Sequence, residues 1–296
     1  MIQTHPVANI RPCARGNGEP CSFTPLGRFA DKSGKVGEVS VIRCARCGMG
    51  VSMPPLADVA FLYDDRESQD FQPDARGLAH RIKDIAFRSQ ARTLLRQLGT
   101  APGSVLDFGC GSGQFTRCFS ELLPASSVTG ADFHPDPPVE LNDLRYFSIG
   151  TAPAHAGEFD LVTAFHVLEH DDDPDALLDR IAALAAPGGR LVLEVPNIDC
   201  FWTGLLGPAW DAWYLPFHRT HFSRPALRAL IERRGLIVEQ DLDICVPTMG
   251  RSLANAFGQP NSLAFLLAGI LLHPLQWLGE KLSGRPSAIR IIARKS

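Results

Sequence analysis

Three glycines at alternate positions, Gly109, Gly111 and Gly113, follow the short apolar run Val105, Leu106 and Phe108, with Asp107 set inside that run. Glycine accepts positive φ and has no Cβ, so such a turn lets the backbone approach a ligand closely. The helix expected next offers free N–H groups and a positive dipole end, which suit a carboxylate or a phosphate. A dinucleotide fingerprint needs G-x-G-x-x-G, and its third glycine would fall on Gln114, which weakens an NAD or FAD reading. Asp132 ends the next expected strand, Ser127 to Ala131, 19 positions after Gly113. An acid there hydrogen-bonds the ribose hydroxyls of an adenosine-containing cofactor. The plainer alternative is a glycine-rich connector with no ligand.

A second group is His166-x-x-Glu169-His170, which follows a strand pattern directly. Its side chains have the chemistry of a general base. The spacing also fits H-x-x-E-H, a zinc protease motif, but that motif needs an uninterrupted helix. Here a strand precedes it and Asp171 to Pro174 restarts the chain directly after it. A divalent metal on the same three residues remains a separate possibility. The third group is Cys44-Ala45-Arg46-Cys47-Gly48, two thiols that can grip one ion around a tight turn. Cys13 and Cys21 are the available second pair, so the four form either a zinc site or a ribbon that holds its shape without metal. A redox C-x-x-C would normally open a helix in a βαβ unit. Cys110, Cys118, Cys200 and Cys245 read as small buried apolar residues.

These motifs together resemble the class I S-adenosylmethionine (SAM) dependent methyltransferases. Asp107 with its G-x-G-x-G loop, Glu158 to His170, and Ala186-Pro187-Gly188-Gly189 before an apolar strand carry the resemblance, from roughly Pro102 to the carboxyl terminus. It implies that Asp107, Gly109, Cys110, Gly111 and Gly113 hold the methionine end of SAM. Asp132 would take the ribose, Phe133 would lie against the adenine, and Thr151 or Ala152 would approach the adenine amino group. Phe165 and His166 would sit near the transferred methyl, with His166 favoured as base and Glu169 and His170 within reach. The segments Gly207 to Trp210, Pro216 to His218 and His221 to Ser223 resemble one subgroup of the family, and place Trp210, His218 and His221 on the substrate side. Many relatives carry an amino-terminal zinc ribbon followed by an "NPP"-like segment, here Met53-Pro54-Pro55.

The elements that must position these residues follow from periodicity and punctuation. A helix is expected from Ala75 to Leu98, with Leu78, Ile82, Ile85, Ala91, Leu94, Leu95 and Leu98 on one side and Gly99 as the stop. Further helices are expected over Phe115 to Leu123, after Asp173-Pro174, and over Arg224 to Arg234 behind a Ser223 cap. Strands are expected near Arg145 to Ile149, from Phe159, over Arg190 to Val195, Leu236 to Ile244 and Ser287 to Ala293. The segment Gly150 to Gly157 reads as a loop. The fold class is α/β, a Rossmann-like doubly wound seven-stranded sheet, with a small Cys-rich amino-terminal module. Family resemblance makes the last strand antiparallel, between strands five and six.

Residues 1–62 form the ribbon-like module, 63–99 a helical linker or cap, and 100–296 the catalytic domain with insertions at 196–222 and 246–285. The first insertion is unusually aromatic, fitting either a substrate lid or packing. The second leaves little polar face, and suits a cap, a second subunit in a homo-oligomer, or peripheral membrane contact through 262–282. Its longest apolar run, Leu263 to Leu272, is too short to span a bilayer. A net charge of −3 over 296 residues gives no reason to expect nucleic acid; Arg81, Lys83, Arg88, Arg92 and Arg96 read as a solvated helix face. Eight cysteines and a polar Met1 to Pro12 fit a reducing compartment, so a cytoplasmic protein is expected, with contact to the inner membrane face left open. The expected activity is methyl transfer from SAM to a small-molecule, sugar or lipid-linked acceptor. The rival of another class is a catalytically inactive SAM-fold scaffold.

Overall fold

The computed structural model describes residues 13–15, 19–56, 58–64 and 77–296. Its centre is a seven-stranded sheet made from β4 (Ser104–Phe108), β5 (Ser127–Asp132), β6 (Arg145–Ser148), β7 (Phe159–Phe165), β8 (Ala185–Pro196), β10 (Ile237–Ile244) and β11 (Ala288–Arg294). The spatial order is β10-β11-β8-β7-β4-β5-β6. Pairing is parallel from β8 across to β6, while β11 runs antiparallel to both β8 and β10. Buried on both faces, β4 and β7 read as nearly continuous apolar runs. Ala185 already pairs with Phe159, so the fifth strand of this sheet starts before the expected Arg190 and carries the Pro187-Gly188-Gly189 turn as a register shift.

Helix α1 (Leu78–Leu98) lies across the sheet; the expected start at Ala75 falls outside the described residues. Only its carboxyl-terminal half follows the expected apolar stripe. Ala91, Leu94 and Leu98 pack with Val105, Phe115 and Phe119, whereas Leu78 and Ile85 are exposed. The amino-terminal half docks through polar pairs instead. His80 meets Glu140 at 2.6 Å, and Asp84 accepts from Arg117 and Gln114 at 2.7 and 2.9 Å. Helix α2 (Gln114–Ser120) is shorter than expected, and residues Ile149–His155 form 3-10 turns where a loop was expected. Helix α3 (Pro174–Leu184) is capped by Asp173, whose Oδ1 accepts from the Ala176 N–H at 3.1 Å.

The amino-terminal strands β1 (Phe23–Phe29), β2 (Val39–Cys44) and β3 (Gly50–Met53) form a second sheet, completed by β9 (Thr220–His221) from the aromatic insertion. Gly50 pairs with His221 and Val51 with Thr220. Val39 and Val41 bury against Ile198, Trp202, Trp210, Trp213 and Leu215. The aromatic residues of the 196–222 insertion thus make a shared core with the small sheet. Helix α4 (Phe201–Leu206) opens this insertion, and α5 (Arg224–Arg233) follows it behind the Ser223 cap.

The second insertion folds as α6 (Met249–Ala256) and α7 (Leu263–Ser283). The two pack closely because both crossing residues are glycines: a Cβ on Gly250 would lie 2.3 Å from the Phe265 carbonyl oxygen. Helix α7 is inverted relative to an ordinary surface helix. Its polar Gln276 and Glu280 are buried, and Leu263, Leu267, Ile270, Leu271, Leu275, Leu278 and Leu282 are exposed. Gln276 donates to the Val246 carbonyl and to Glu280, both at 2.7 Å, and Glu280 accepts from the Ser287 N–H at 2.8 Å. By length and composition α7 could cross a membrane.

Candidate active site

The glycine loop is tied to the end of β5 by the Gly109 and Cys110 N–H groups, which donate to the Ala131 carbonyl at 2.7 and 3.0 Å. All three loop glycines have positive φ. At Gly109 space is limiting as well, since a Cβ there would meet Val167 Cγ2 at 2.5 Å. Asp107 lies beneath the loop, fully buried, and accepts from the hydroxyls of Thr116 and Thr163 at 2.5 and 2.8 Å. Burial pushes its carboxyl upward despite those donors. It therefore braces the loop from the core side.

Asp132 closes the other side. One carboxylate oxygen accepts from the Gly111 N–H at 2.8 Å and the other from the Phe133 N–H at 2.7 Å. Burial raises its pKa to about 6, against the two N–H donors that favour the charge. Each oxygen keeps a lone pair for a diol. Phe133 is half exposed beside it, with its ring 5.3 Å from that of Tyr63. The Thr151 hydroxyl is turned back to the Ser148 carbonyl at 2.8 Å. Phe165 points sideways from the end of β7, edge-on to Phe115 at 5.1 Å and beneath the Arg290 guanidinium at 5.0 Å.

His166, the next residue, takes a positive φ of 55° at the carboxyl end of β7, where open α/β sheets place their ligands. Its Nδ1 lies 3.2 Å from Glu169 and its Nε2 3.2 Å from Glu194. Burial opposes the charge, but these two carboxylates overcome it and raise the pKa to about 10. In this arrangement both ring nitrogens are protonated at neutral pH, leaving no lone pair to receive a proton. Glu194 is itself shared with Arg290, whose Nε donates to it at 2.7 Å. The row Arg290, Glu194, His166, Glu169 alternates in sign across the cleft floor.

Beyond His166 a cavity of about 350 Å³ is lined by His166, Tyr214, His218, Val246, Thr248 and Arg251, among others. The Thr248 hydroxyl is buried with no hydrogen-bond partner among the described residues. His218 donates from Nδ1 to the Ala212 carbonyl at 2.8 Å, and burial pushes it well below the usual histidine range. His170 packs against it at 4.8 Å between ring centroids. Trp210 and His221 lie elsewhere. Trp210 is buried in the core shared with the small sheet, and His221 meets the Ser52 hydroxyl at 3.0 Å. Of the three residues expected on the substrate side, the fold brings only His218 to the cavity. Glu194, Arg290, Tyr63 and Thr248 were not singled out from sequence. A lone acid in Leu191 to Val195 and a lone arginine in Ile289 to Ile292 are the available signals, since a charge inside an apolar strand needs a partner.

The four amino-terminal cysteines converge although seven residues separate Cys13 from Cys21. Cys13 and Cys44 sulfurs lie 3.8 Å apart, those of Cys21 and Cys47 3.5 Å apart, and all four sit within 4.8 Å of one another. Tetrahedral zinc with Zn–S of about 2.3 Å needs sulfurs about 3.8 Å apart, so the donor set fits that ion. A hydrogen bond from Cys21 lowers the Cys47 pKa to about 5, against burial, so one thiolate is already favoured.

A parallel sheet ending in an antiparallel hairpin partner, a glycine loop over a buried acid, and a second acid at the end of the next strand define a class I SAM-dependent methyltransferase. Residues 78–241, more than half of the chain, match a family model for a methyltransferase domain, and the chain belongs to that family. A ubiquinone biosynthesis O-methyltransferase of Psychrobacter arcticus is 35% identical over 112 residues. That match covers 34% of this chain and 44% of the relative's length. The protein of the same name from Xanthomonas axonopodis pv. citri is 32% identical over 161 residues, covering 48% of this chain and 66% of the relative. The solved 1,6-didemethyltoxoflavin-N1-methyltransferase of Burkholderia thailandensis, with 1,6-didemethyltoxoflavin and S-adenosylhomocysteine bound, superposes with a TM-score of 0.50. It is 21% identical and covers 85% of this chain and 96% of that one, a likeness of fold. The chain is a SAM-dependent methyltransferase by family.

Proposed function

We propose that this enzyme methylates a hydroxyl of an apolar small molecule presented at a membrane surface. The carrying observation is the cavity of about 350 Å³ that His166, His218, Thr248 and Arg251 line at the carboxyl end of β7. Thr248 and Arg251 line that cavity and belong to the start of the helical insertion whose second helix exposes its leucines, which puts the cavity wall and the apolar surface on one insertion. The name of the Psychrobacter and Xanthomonas relatives, an O-methyltransferase of ubiquinone biosynthesis, supports a hydroxyl acceptor.

In this reading Asp132 accepts from the ribose hydroxyls of SAM, and the Gly109 to Gly113 backbone receives its amino-acid end. SAM carries its methyl on a sulfonium, which leaves as a neutral thioether. The protein's main contribution is alignment of the acceptor oxygen with that methyl, and the proton of the hydroxyl leaves to water at the open mouth of the cavity. The charged His166 sits between Glu169 and Glu194 as an orienting group at the cleft floor. The test supplies SAM labelled in the methyl group to the purified chain with membrane lipid extract. Label is expected in the organic phase, in an alkali-stable ether. Label confined to the aqueous phase would overturn the lipid-borne acceptor.

A further inference from the structure

We propose that Glu169, His170 and His218 form a binding site for a divalent transition-metal ion at the edge of the cavity. A carboxylate oxygen and one nitrogen of each ring lie within 4.8 Å of one another. Glu169 is 1% exposed, and its Oε2 is buried with no hydrogen-bond partner among the described residues. A carboxylate oxygen removed from water in that way needs a partner, and a cation supplies one.

His218 is held as a ligating histidine usually is, through the nitrogen that does not face the metal. His218 Nδ1 donates to the Ala212 carbonyl at 2.8 Å, which leaves the lone pair on Nε2, 3.9 Å from Glu169 Oε1. His170 Nδ1 meets the Tyr63 hydroxyl at 2.8 Å. An ion about 2.0–2.1 Å from each donor needs them roughly 3.4 Å apart, so small rotations of these side chains complete the set. Two imidazoles and one carboxylate suit a borderline ion such as zinc or ferrous iron, with positions left open for another ligand.

The two histidines come from segments nearly fifty residues apart, and Tyr63 from a third. The Arg219 N–H donates to the Glu169 carbonyl at 2.6 Å, which fixes the insertion against the end of β7 and brings His218 into place. On the functional reading above, on which only this clause rests, the ion would bind the acceptor's oxygen and lower the pKa of its hydroxyl.

The test is a cobalt(II) titration of the full metal-stripped chain. The cysteine site gives intense sulfur-to-cobalt charge-transfer absorption, while the Glu169 site gives only weaker visible bands. Two equivalents are expected in the wild type. Glu169→Gln and, independently, His218→Gln should lose the second equivalent and keep the first, with circular dichroism unchanged. Tyr63→Phe should weaken the second site about 10–100-fold, as loss of an outer hydrogen bond to a ligand does. A single equivalent, carrying only the charge-transfer signature, would overturn the proposal. So would a second equivalent that all three variants retain. Cobalt bound at the second site with no methyl transfer to lipid would leave the metal site standing and fail the acceptor reading alone.

Discussion

Asp132→Asn should move stability and cofactor binding in opposite directions. Burial places the Asp132 pKa at about 6 where an ordinary aspartate titrates near 3.8. A folded-state pKa above the unfolded one means the proton stabilises the fold. That contribution is complete below the unfolded value and is lost as pH rises through about 6. Two pKa units correspond to about 3 kcal/mol, which the ligand-free fold gives up at pH 7.5. Asparagine removes that charge but can accept from only one of the Gly111 and Phe133 N–H groups, a loss of about 1 kcal/mol. The ligand-free variant should therefore be more stable by about 2 kcal/mol, or roughly 4–8 °C in melting temperature. SAM, by contrast, should lose hydrogen bonds to a charged acceptor worth about 1.5–3 kcal/mol each. In the wild type, SAM at 100 times its Kd stabilises by about 2.7 kcal/mol. Differential scanning fluorimetry with SAM and with S-adenosylhomocysteine reads both effects on one sample. Because the diol needs the carboxylate, wild-type SAM affinity should also fall about fivefold between pH 6 and pH 5. A variant that keeps the SAM-induced shift, or a wild-type affinity flat from pH 5 to 7.5, would refute the assignment.

Gly109→Ala combines a φ of 77° with a 2.5 Å contact to Val167, so it should destabilise by about 3 kcal/mol and weaken SAM binding; chemical denaturation measures the first effect and calorimetry the second. Metal analysis should return zinc on the four cysteines. Chelation or Cys44→Ser should lower the melting temperature by about 2–4 °C per kcal/mol lost, because the β3–β9 pairing and the shared tryptophan core depend on that module; an unchanged transition would mean the ribbon holds its shape without metal. Leu271→Gln with Leu275→Gln should leave stability within about 0.5 kcal/mol, since both side chains are exposed. Each leucine buried in lipid is worth about 1.5–3 kcal/mol, so flotation with neutral phosphatidylcholine vesicles should drop at least about 100-fold; flotation equal to wild type would remove the membrane from the functional reading.

Local chemistry made much of this protein legible from its sequence. The glycine loop, Asp107 and Asp132 are set by short-range needs: positive φ, close backbone approach, and an acid at a strand end. Alternation, apolar runs and punctuation by glycine and proline likewise mark the strands of the large sheet, and family resemblance supplied the antiparallel place of the last one. The four cysteines were also recognisable by type, although their spacing did not say that they converge.

Long-range packing decided the rest. Nothing local to Trp210 distinguishes an aromatic lid from a core, and only the arrival of Val39 and Val41 buries it. His166 looks like a free base in sequence, yet Glu194 and Glu169 reach it from two directions and hold it charged. The helix at 263–283 reads as apolar throughout, and only its docking through Gln276 and Glu280 shows which side is left facing outward. His218 joins the cavity while His221, three residues on, does not, because a strand pairing with Gly50 turns His221 into the core. Residue type and spacing determine which groups can do chemistry here; contacts between segments distant in sequence determine which groups meet, and in what charge state.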